Sequence, residues 1–138
     1  MRYMLDTNIC IHLIHRQPEH VMRRFAQLAK GDVVISVVTL AELRHGVERR
    51  PDVREAAEHG LALFLDLVPA LDFDADAAVQ YGRIAAALRE RRRDVLDRMI
   101  GAHALATGLV LVTNNETDFK DVPGLTIENW VKDDDSCN

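Results

Sequence analysis

Cysteine is nearly absent from this sequence. Only Cys10 and Cys137 occur among the 138 residues, the first in an apolar segment and the second in a polar tail. This placement does not predict a disulfide framework, which small secreted domains use in place of a large core. We therefore expect the protein to work in the reducing cytoplasm.

Long apolar runs are also missing. No stretch of eighteen apolar residues occurs, so we expect no helix that spans a membrane. The first apolar run, Tyr3 to Leu5, is interrupted by Asp6 too early to form the core of a signal peptide.

Positive charge is in short supply. The 17 lysines and arginines are outnumbered by 22 aspartates and glutamates, so the formal net charge is −5 at pH 7. This balance argues against a surface coated with nucleic acid, although acids gathered in a site could supply much of the negative charge. The useful question is where positive charge is concentrated.

The sequence does contain enough apolar material for one domain. Hydrophobic residues make up 48% and charged residues 28% of the 138 residues, which is ordinary for a globular protein that can bury a core. We expect one domain over residues 1–131 and an acidic, disordered tail over residues 132–138.

Short apolar runs alternate with segments of helical periodicity along the chain. The runs predict strands near residues 3–5, 33–35, 70–73, 109–112 and 125–130. Because the strands are continuously apolar and helices lie between them, we expect an α/β fold of three α/β/α layers with a mostly parallel, roughly five-stranded sheet. We expect Gly31 to end the second helix and residues 113–119 to form a polar turn.

Four acids occur where elements of such a sheet reach the same edge. Asp6 ends the first strand, and Glu42 lies two turns into the helix after the second strand. Asp97 lies near the start of the helix before the fourth strand, and Asp118 follows that strand. Parallel strands joined by right-handed crossovers bring these positions to one edge, where α/β sheets bind ligands. Small residues at Gly101 and Ala104 would let the helix of Asp97 pack closely.

Each acid also has an ordinary explanation. Asp6 suits a helix N-cap, Glu42 a solvated helix face, Asp97 the first turn of a helix dipole, and Asp118 the cap of a turn. Four carboxylates together would repel one another unless a cation lay between them. Oxygen ligands without a matching set of cysteine or histidine favour Mg²⁺ or Mn²⁺ over zinc.

Four motifs carry a resemblance to a known family. The segments MLDTNICIHLI, ISVVTLAELRHGVE, DRMIGAHALATGLVLVTNN and DFKDVPGLTIENW, in this order and spacing, resemble a bacterial VapC-type toxin, a PIN-domain ribonuclease, over residues 1 to about 131. The resemblance implies a compact α/β/α fold and metal-dependent cleavage of a structured RNA such as tRNA. It also implies a cognate VapB-type antitoxin, a homodimer, and a hetero-oligomer with the antitoxin.

The resemblance also assigns roles to residues. The acids that bind Mg²⁺ or Mn²⁺ in the family fall on Asp6, Glu42, Asp97 and Asp118. Polar residues that support those acids fall on Thr7, Asn8, Thr113 and Asn115. Glu116 and Asp121 remain close rivals of Asp118 for the place of the fourth acid.

One segment departs from the family pattern. The family commonly has a loop with glycine and proline before the acid of DRMIGAHA, where this chain has the shorter RERRRDVLD. We therefore expect the two flanking helices to be joined more tightly, which bears on the orientation of Asp97.

The dense positive charge lies in the same segment. Arg89, Arg91, Arg92 and Arg93 are either a solvated helix end or contacts for RNA phosphates, which arginine binds with two parallel hydrogen bonds. His103 is predicted to be a packed core histidine rather than a ligand. Trp130 is predicted to cover the core rather than to stack on a base.

Two other functions fit part of the pattern. A phosphatase of the haloacid dehalogenase kind also begins with an aspartate at a strand end, but it needs an acid two residues later, where this chain has Asn8. A catalytically silent module that only binds an antitoxin is the second alternative, and the presence of all four acids argues against it. The pattern leaves open whether one or two metal ions act.

Overall fold

The sheet has five strands in the computed structural model, which describes residues 1–91 and 94–131. The strands are β1 (Tyr3–Leu5), β2 (Val33–Ser36), β3 (Ala70–Leu71), β4 (Val110–Val112) and β5 (Ile127–Glu128). All four neighbouring pairs are parallel, in the order β3-β2-β1-β4-β5. The predicted parallel sheet is therefore confirmed, and β1 lies at its centre.

Seven α-helices connect and cover these strands within the described residues. They are α1 (Thr7–Ile14), α2 (Glu19–Ala26), α3 (Val37–Glu48), α4 (Arg54–Leu67), α5 (Ala75–Ala87), α6 (Val95–Thr107) and α7 (Glu116–Phe119). A 3₁₀ turn at Pro51–Val53 leads into α4. No helix in this part of the chain is long and apolar enough to cross a membrane.

Both faces of the sheet are buried, which explains its continuously apolar strands. Tyr3 and Leu5 point into a core that includes residues of α1, α2 and α4. Met4 points to the opposite face, where it joins Ile100 of α6 and Phe119 of α7. Because side chains alternate along a strand, one strand of three residues contacts both helical layers, and the predicted three-layer arrangement is confirmed.

Local signals in the sequence set the ends of several helices. Asp6, Ser36 and Asp94 are the N-caps of α1, α3 and α6, and each side chain accepts a backbone N–H of its helix. Gly108 ends α6 with a φ of +72°, a conformation that glycine adopts without steric cost. β1, β2 and β4 therefore end beside caps or turns at one edge of the sheet.

Two local predictions are wrong. The second helix ends at Ala26 and not at Gly31, because the N–H groups of Gln27 and Leu28 turn back to the carbonyls of Arg24 and Phe25. Residues 116–119 form the short helix α7 and not a polar turn. The tail predicted over residues 132–138 lies outside the described residues.

Candidate active site

Asp6 lies where β1 meets α1, at the centre of the sheet edge. Its side chain is buried, and Oδ1 accepts the Ile9 N–H at 3.0 Å. Burial raises the pKa of this carboxyl and the Glu42 charge adds to the rise, whereas a hydrogen bond from Thr113, the Ile9 N–H and the charge of His12 oppose it. Asp6 is thus both the cap of α1 and an acid facing other acids.

Glu42 reaches the same edge from α3. The Thr7 hydroxyl donates to Glu42 Oε1 at 2.5 Å, across a sequence separation of 35 residues. Thr7 follows Asp6 directly, so the first residue of α1 holds the side chain of α3 beside the end of β1. The charge of Glu42 acts on both Asp6 and Asp97.

Asp97 lies in the first turn of α6 and is the acid most affected by its surroundings. Its pKa is raised from 3.8 to about 6, first by partial burial and then by the charges of Asp94, Asp118, Glu42 and Asp6. Like charges favour the protonated form of a carboxyl when they lie nearby. The structure therefore brings Asp6, Glu42 and Asp118 within electrostatic reach of Asp97.

Asp118 enters the site from α7, the element that was predicted to be a turn. Its carboxylate accepts a hydrogen bond from the Asn115 side-chain amide, and its backbone N–H donates to the Asn115 carbonyl at 3.1 Å. Thr113 directly follows β4, and its Oγ1 accepts the Asn115 N–H at 2.9 Å. Asn115 therefore links the loop after β4 to the carboxylate of Asp118 through hydrogen bonds.

The chain as a whole is similar to known proteins. A family model, the PIN domain, matches residues 3–125. The chain belongs to the PIN-domain family. The tRNA(fMet)-specific endonuclease VapC of Shigella flexneri is 42% identical to it over 135 residues, which cover 94% of this chain and 98% of that protein. Ribonuclease VapC2 of Rickettsia felis is 37% identical, with 96% of this chain and 100% of that protein covered.

A solved structure agrees with these relatives. VapBC2 from Rickettsia felis, bound to a DNA fragment from its promoter, superposes with a TM-score of 0.87 at 36% identity, covering 94% of this chain and 99% of that chain. This PIN domain is therefore of the VapC type, and the resemblance found in the sequence is confirmed. A phosphatase of the haloacid dehalogenase kind is excluded.

The rivals of Asp118 have other partners in this PIN domain. Asp121 is bonded to Arg98 and Arg91, and its side chain is only 5% exposed. Glu116 is exposed and accepts the Asn129 side-chain amide at 2.9 Å. The carboxylates that act on the pKa of Asp97 include Asp118, which favours Asp118 as the fourth acid.

Three of the four supporting residues contact an acid. Thr7 bonds to Glu42, Thr113 to Asp6, and Asn115 to Asp118. Asn8 lies exposed in the first turn of α1.

The arginine run is only partly described. Arg89 donates to the Ala86 carbonyl at 3.1 Å, as a residue at a solvated helix end does. Arg91 pairs with Asp121 at 3.3 Å while remaining 59% exposed. Arg92 and Arg93 lie outside the described residues, so the RNA-binding role of the run stays a prediction.

The two predicted core residues are buried. His103 is 1% exposed, its Nδ1 is 2.8 Å from Ser36 Oγ, and burial is the main cause that lowers its pKa. Trp130 is also 1% exposed and packs edge-on against Tyr3 at 5.4 Å between ring centroids. Both predictions are confirmed.

Two features near the acids were missed in the sequence, the effect of Asp94 on Asp97 and the pairing of Arg98 with Asp121. Asp94 was expected to begin a helix, but its charge also raises the pKa of Asp97. Arg98 and Asp121 form a buried ion pair behind the site. One signal in the sequence indicates that Arg98 is buried. It lies one turn before Ala102 on a helix with small residues, and such a helix face can be buried by neighbouring elements.

Proposed function

We propose that this chain is the toxin of a toxin–antitoxin pair and acts as a divalent-metal-dependent endoribonuclease in the cytoplasm. The observation that carries the proposal is the grouping of Asp6, Glu42, Asp97 and Asp118 at one sheet edge. There partial burial, the charge of Asp94 and the charges of the other three acids raise the pKa of Asp97 to about 6. The related endonuclease and ribonucleases support the same activity.

The residues fit a hydrated Mg²⁺ or Mn²⁺ ion better than a closed cage. Among residues 1–91 and 94–131, no three carboxylate, imidazole or thiolate side chains converge closely enough to hold an ion by themselves. Glu42 and Asp118 are each engaged by a neighbouring hydroxyl or amide. Mg²⁺ commonly keeps several waters and binds through one or two carboxylates. Asp6 and Asp97 would hold it, and Glu42 and Asp118 would act directly or through water.

Such an ion would lower the pKa of a bound water and neutralise charge on the phosphate that is cleaved. The chain's own residues orient the acids for this task. Thr113 and the Ile9 N–H hold Asp6, Thr7 holds Glu42, and Asn115 holds Asp118. Glu42, whose charge acts on Asp6 and Asp97, is placed to orient the attacking water.

The relatives support a proposal for the substrate and the partners. Because a protein 42% identical to this chain is a tRNA(fMet)-specific endonuclease, we infer that tRNA, and tRNA(fMet) first, is the substrate. Because the related solved structures are VapBC complexes, we infer a VapB-type antitoxin that covers the acids and inserts an arginine or lysine beside Asp6 and Asp97. The toxin forms a homodimer, and a hetero-oligomer with the antitoxin.

The test uses the purified chain without its antitoxin. We expect it to cleave tRNA(fMet) in Mg²⁺ or Mn²⁺ and to lose this activity in EDTA. Asp6→Asn should abolish cleavage without unfolding the protein, whereas Asp76→Asn, the same change on the exposed first turn of α5, should leave cleavage intact. Full cleavage in EDTA would exclude the metal, and sequencing of RNA ends after brief expression in cells would identify the RNA that is cut.

A further inference from the structure

A buried ion pair joins two elements that carry candidate acids. Arg98 Nη1 and Nη2 donate to Asp121 Oδ1 and Oδ2 at 3.0 and 3.2 Å. The two side chains are 7% and 5% exposed, so the pair is almost fully removed from water. Arg91 adds an exposed third member at 3.3 Å.

The position of the pair in the chain links it to the acids. Arg98 directly follows Asp97 in the first turns of α6, and Asp121 lies three residues after Asp118, just beyond α7. Neighbouring residues of a helix move together, so a rotation or shift of the start of α6 would move Arg98 and Asp97 alike. The pair therefore connects α6, which carries Asp97, to the segment that follows α7, which carries Asp118.

Apolar packing alone does not set this geometry. Gly101 lies so close to α7 that an added Cβ would be 3.3 Å from Phe119 Cδ1, and this contact holds α6 against α7. Apolar contact has no preferred direction, whereas two parallel guanidinium–carboxylate bonds fix an orientation. A buried ion pair is also weak evidence for stability, since an apolar replacement of the same size is often as stable.

We propose that Arg98 is a positioning residue, which pairs with Asp121 to fix the first turn of α6 and thereby the placement of Asp97 against Asp118. The inference rests on the proposed function, in which these two acids take part in binding a divalent ion. Partners that orient metal ligands in this way typically change metal affinity 10- to 100-fold when removed.

The experiment compares metal binding with stability in the full-length, antitoxin-free chain. The variants are Arg98→Lys, which keeps the charge but not the two-bond geometry, and the double variant Arg98→Met with Asp121→Leu, which replaces the pair by apolar groups. Mn²⁺ affinity is measured directly by electron paramagnetic resonance of free Mn²⁺. Thermal unfolding in EDTA measures stability. Arg54→Met is the matched control, because Arg54 forms an exposed pair with Glu48 at 2.7 Å.

We expect the double variant to unfold near the native temperature but to bind Mn²⁺ about 10-fold more weakly. Arg98→Lys should also lose affinity with little loss of stability, and Arg54→Met should bind Mn²⁺ as the native chain does. Native affinity in a stable double variant would overturn the inference, since the pair would then be purely structural. If the double variant does not fold, native affinity in Arg98→Lys would overturn it in the same way. If the native chain binds no Mn²⁺, the proposed function fails first and the inference with it.

Discussion

At the scale of single residues, Asp6 is both the cap of a helix and a candidate acid of the site. One carboxylate oxygen accepts the Ile9 N–H, which satisfies a donor in the first turn of α1. The carboxyl as a whole still faces the charge of Glu42, which contributes to its raised pKa. The capping explanation considered for Asp6 is therefore correct, and it does not remove Asp6 from the site.

Asp97 offers the most direct test at this scale. Its pKa is about 6 in the folded chain against 3.8 for the free side chain, so the folded state holds this proton more tightly than the unfolded state. The stability that protonation provides is complete below pH 3.8 and is lost as the pH rises through about 6. Asp97→Asn should escape this loss, and we expect it to be more stable than the native chain by about 1 kcal/mol at pH 7.5, after allowance for solvent screening.

Urea unfolding in EDTA at several pH values between 4.5 and 8 would measure this difference. The advantage of Asp97→Asn should shrink as the pH falls, because the native carboxyl is then protonated. Asp76→Asn, on the exposed surface of α5, should show no such pH dependence. A less stable Asp97→Asn at pH 7.5 would mean that the carboxylate serves mainly as a favourable charge at the start of α6.

Residues of the site differed in how well they could be predicted. The four acids could be found because each lies at a fixed position relative to a strand end, and strand ends meet at one edge. The ion pair between Arg98 and Asp121 could not be predicted, because it depends on how α6 packs against α7. Nothing in the sequence near either residue specifies a partner 23 positions away.

At the scale of elements, apolar runs predicted the strands well and polar segments predicted their connections poorly. The central strands are buried on both faces, and the edge strands β3 and β5 pair with them. The sequences of the strands are therefore recognisable as short apolar runs. α7 was missed because Glu116 to Phe119 contains three polar residues and one apolar residue, which leaves no helical periodicity to detect. Its single apolar side chain, Phe119, is 2% exposed and packs against Gly101, so tertiary packing determines this helix.

The start of α6 allows capping and charge to be separated. Asp94 Oδ1 accepts the N–H groups of Leu96 at 2.8 Å and Asp97 at 3.3 Å, while its charge raises the pKa of Asp97. Asp94→Ala removes both effects and should cost about 1 kcal/mol of stability. Asp94→Asn keeps a good cap and removes only the charge, so its stability should stay within about 0.5 kcal/mol of the native value.

Two measurements on the metal-free chain check this prediction. Urea unfolding gives the stability of each variant, and carboxyl-carbon NMR titration gives the pKa of Asp97, which should fall in both variants. Equal destabilisation by Asn and Ala would show that the side chain of Asp94 does not act as a cap in solution.

At the scale of the whole molecule, the site is an acidic concentration on a chain that is already acidic. The net charge is −5, and four of the carboxylates lie at one edge of a sheet whose faces are both covered. The fold holds these charges together by burying β1, β2 and β4 between two helical layers. When all four acids are ionised, a cation from outside, such as a metal ion or a basic side chain of a partner, can relieve their repulsion without changing the fold.

Metal should therefore stabilise the whole domain. A ligand that binds only the folded state adds about 2.7 kcal/mol at 100 times its dissociation constant, so Mn²⁺ should raise the melting temperature of the native chain. Asp97→Asn removes one charge that attracts the ion, and it should gain less from the same Mn²⁺ concentration. The two proteins should thus differ in opposite senses, with the variant more stable in EDTA and the native chain more responsive to Mn²⁺. Thermal melts of both proteins across a Mn²⁺ series, with Asp76→Asn as the control, would measure this. A full response to Mn²⁺ in Asp97→Asn, together with a lower melting temperature in EDTA, would place Asp97 outside the metal site and leave it as a structural acid of α6.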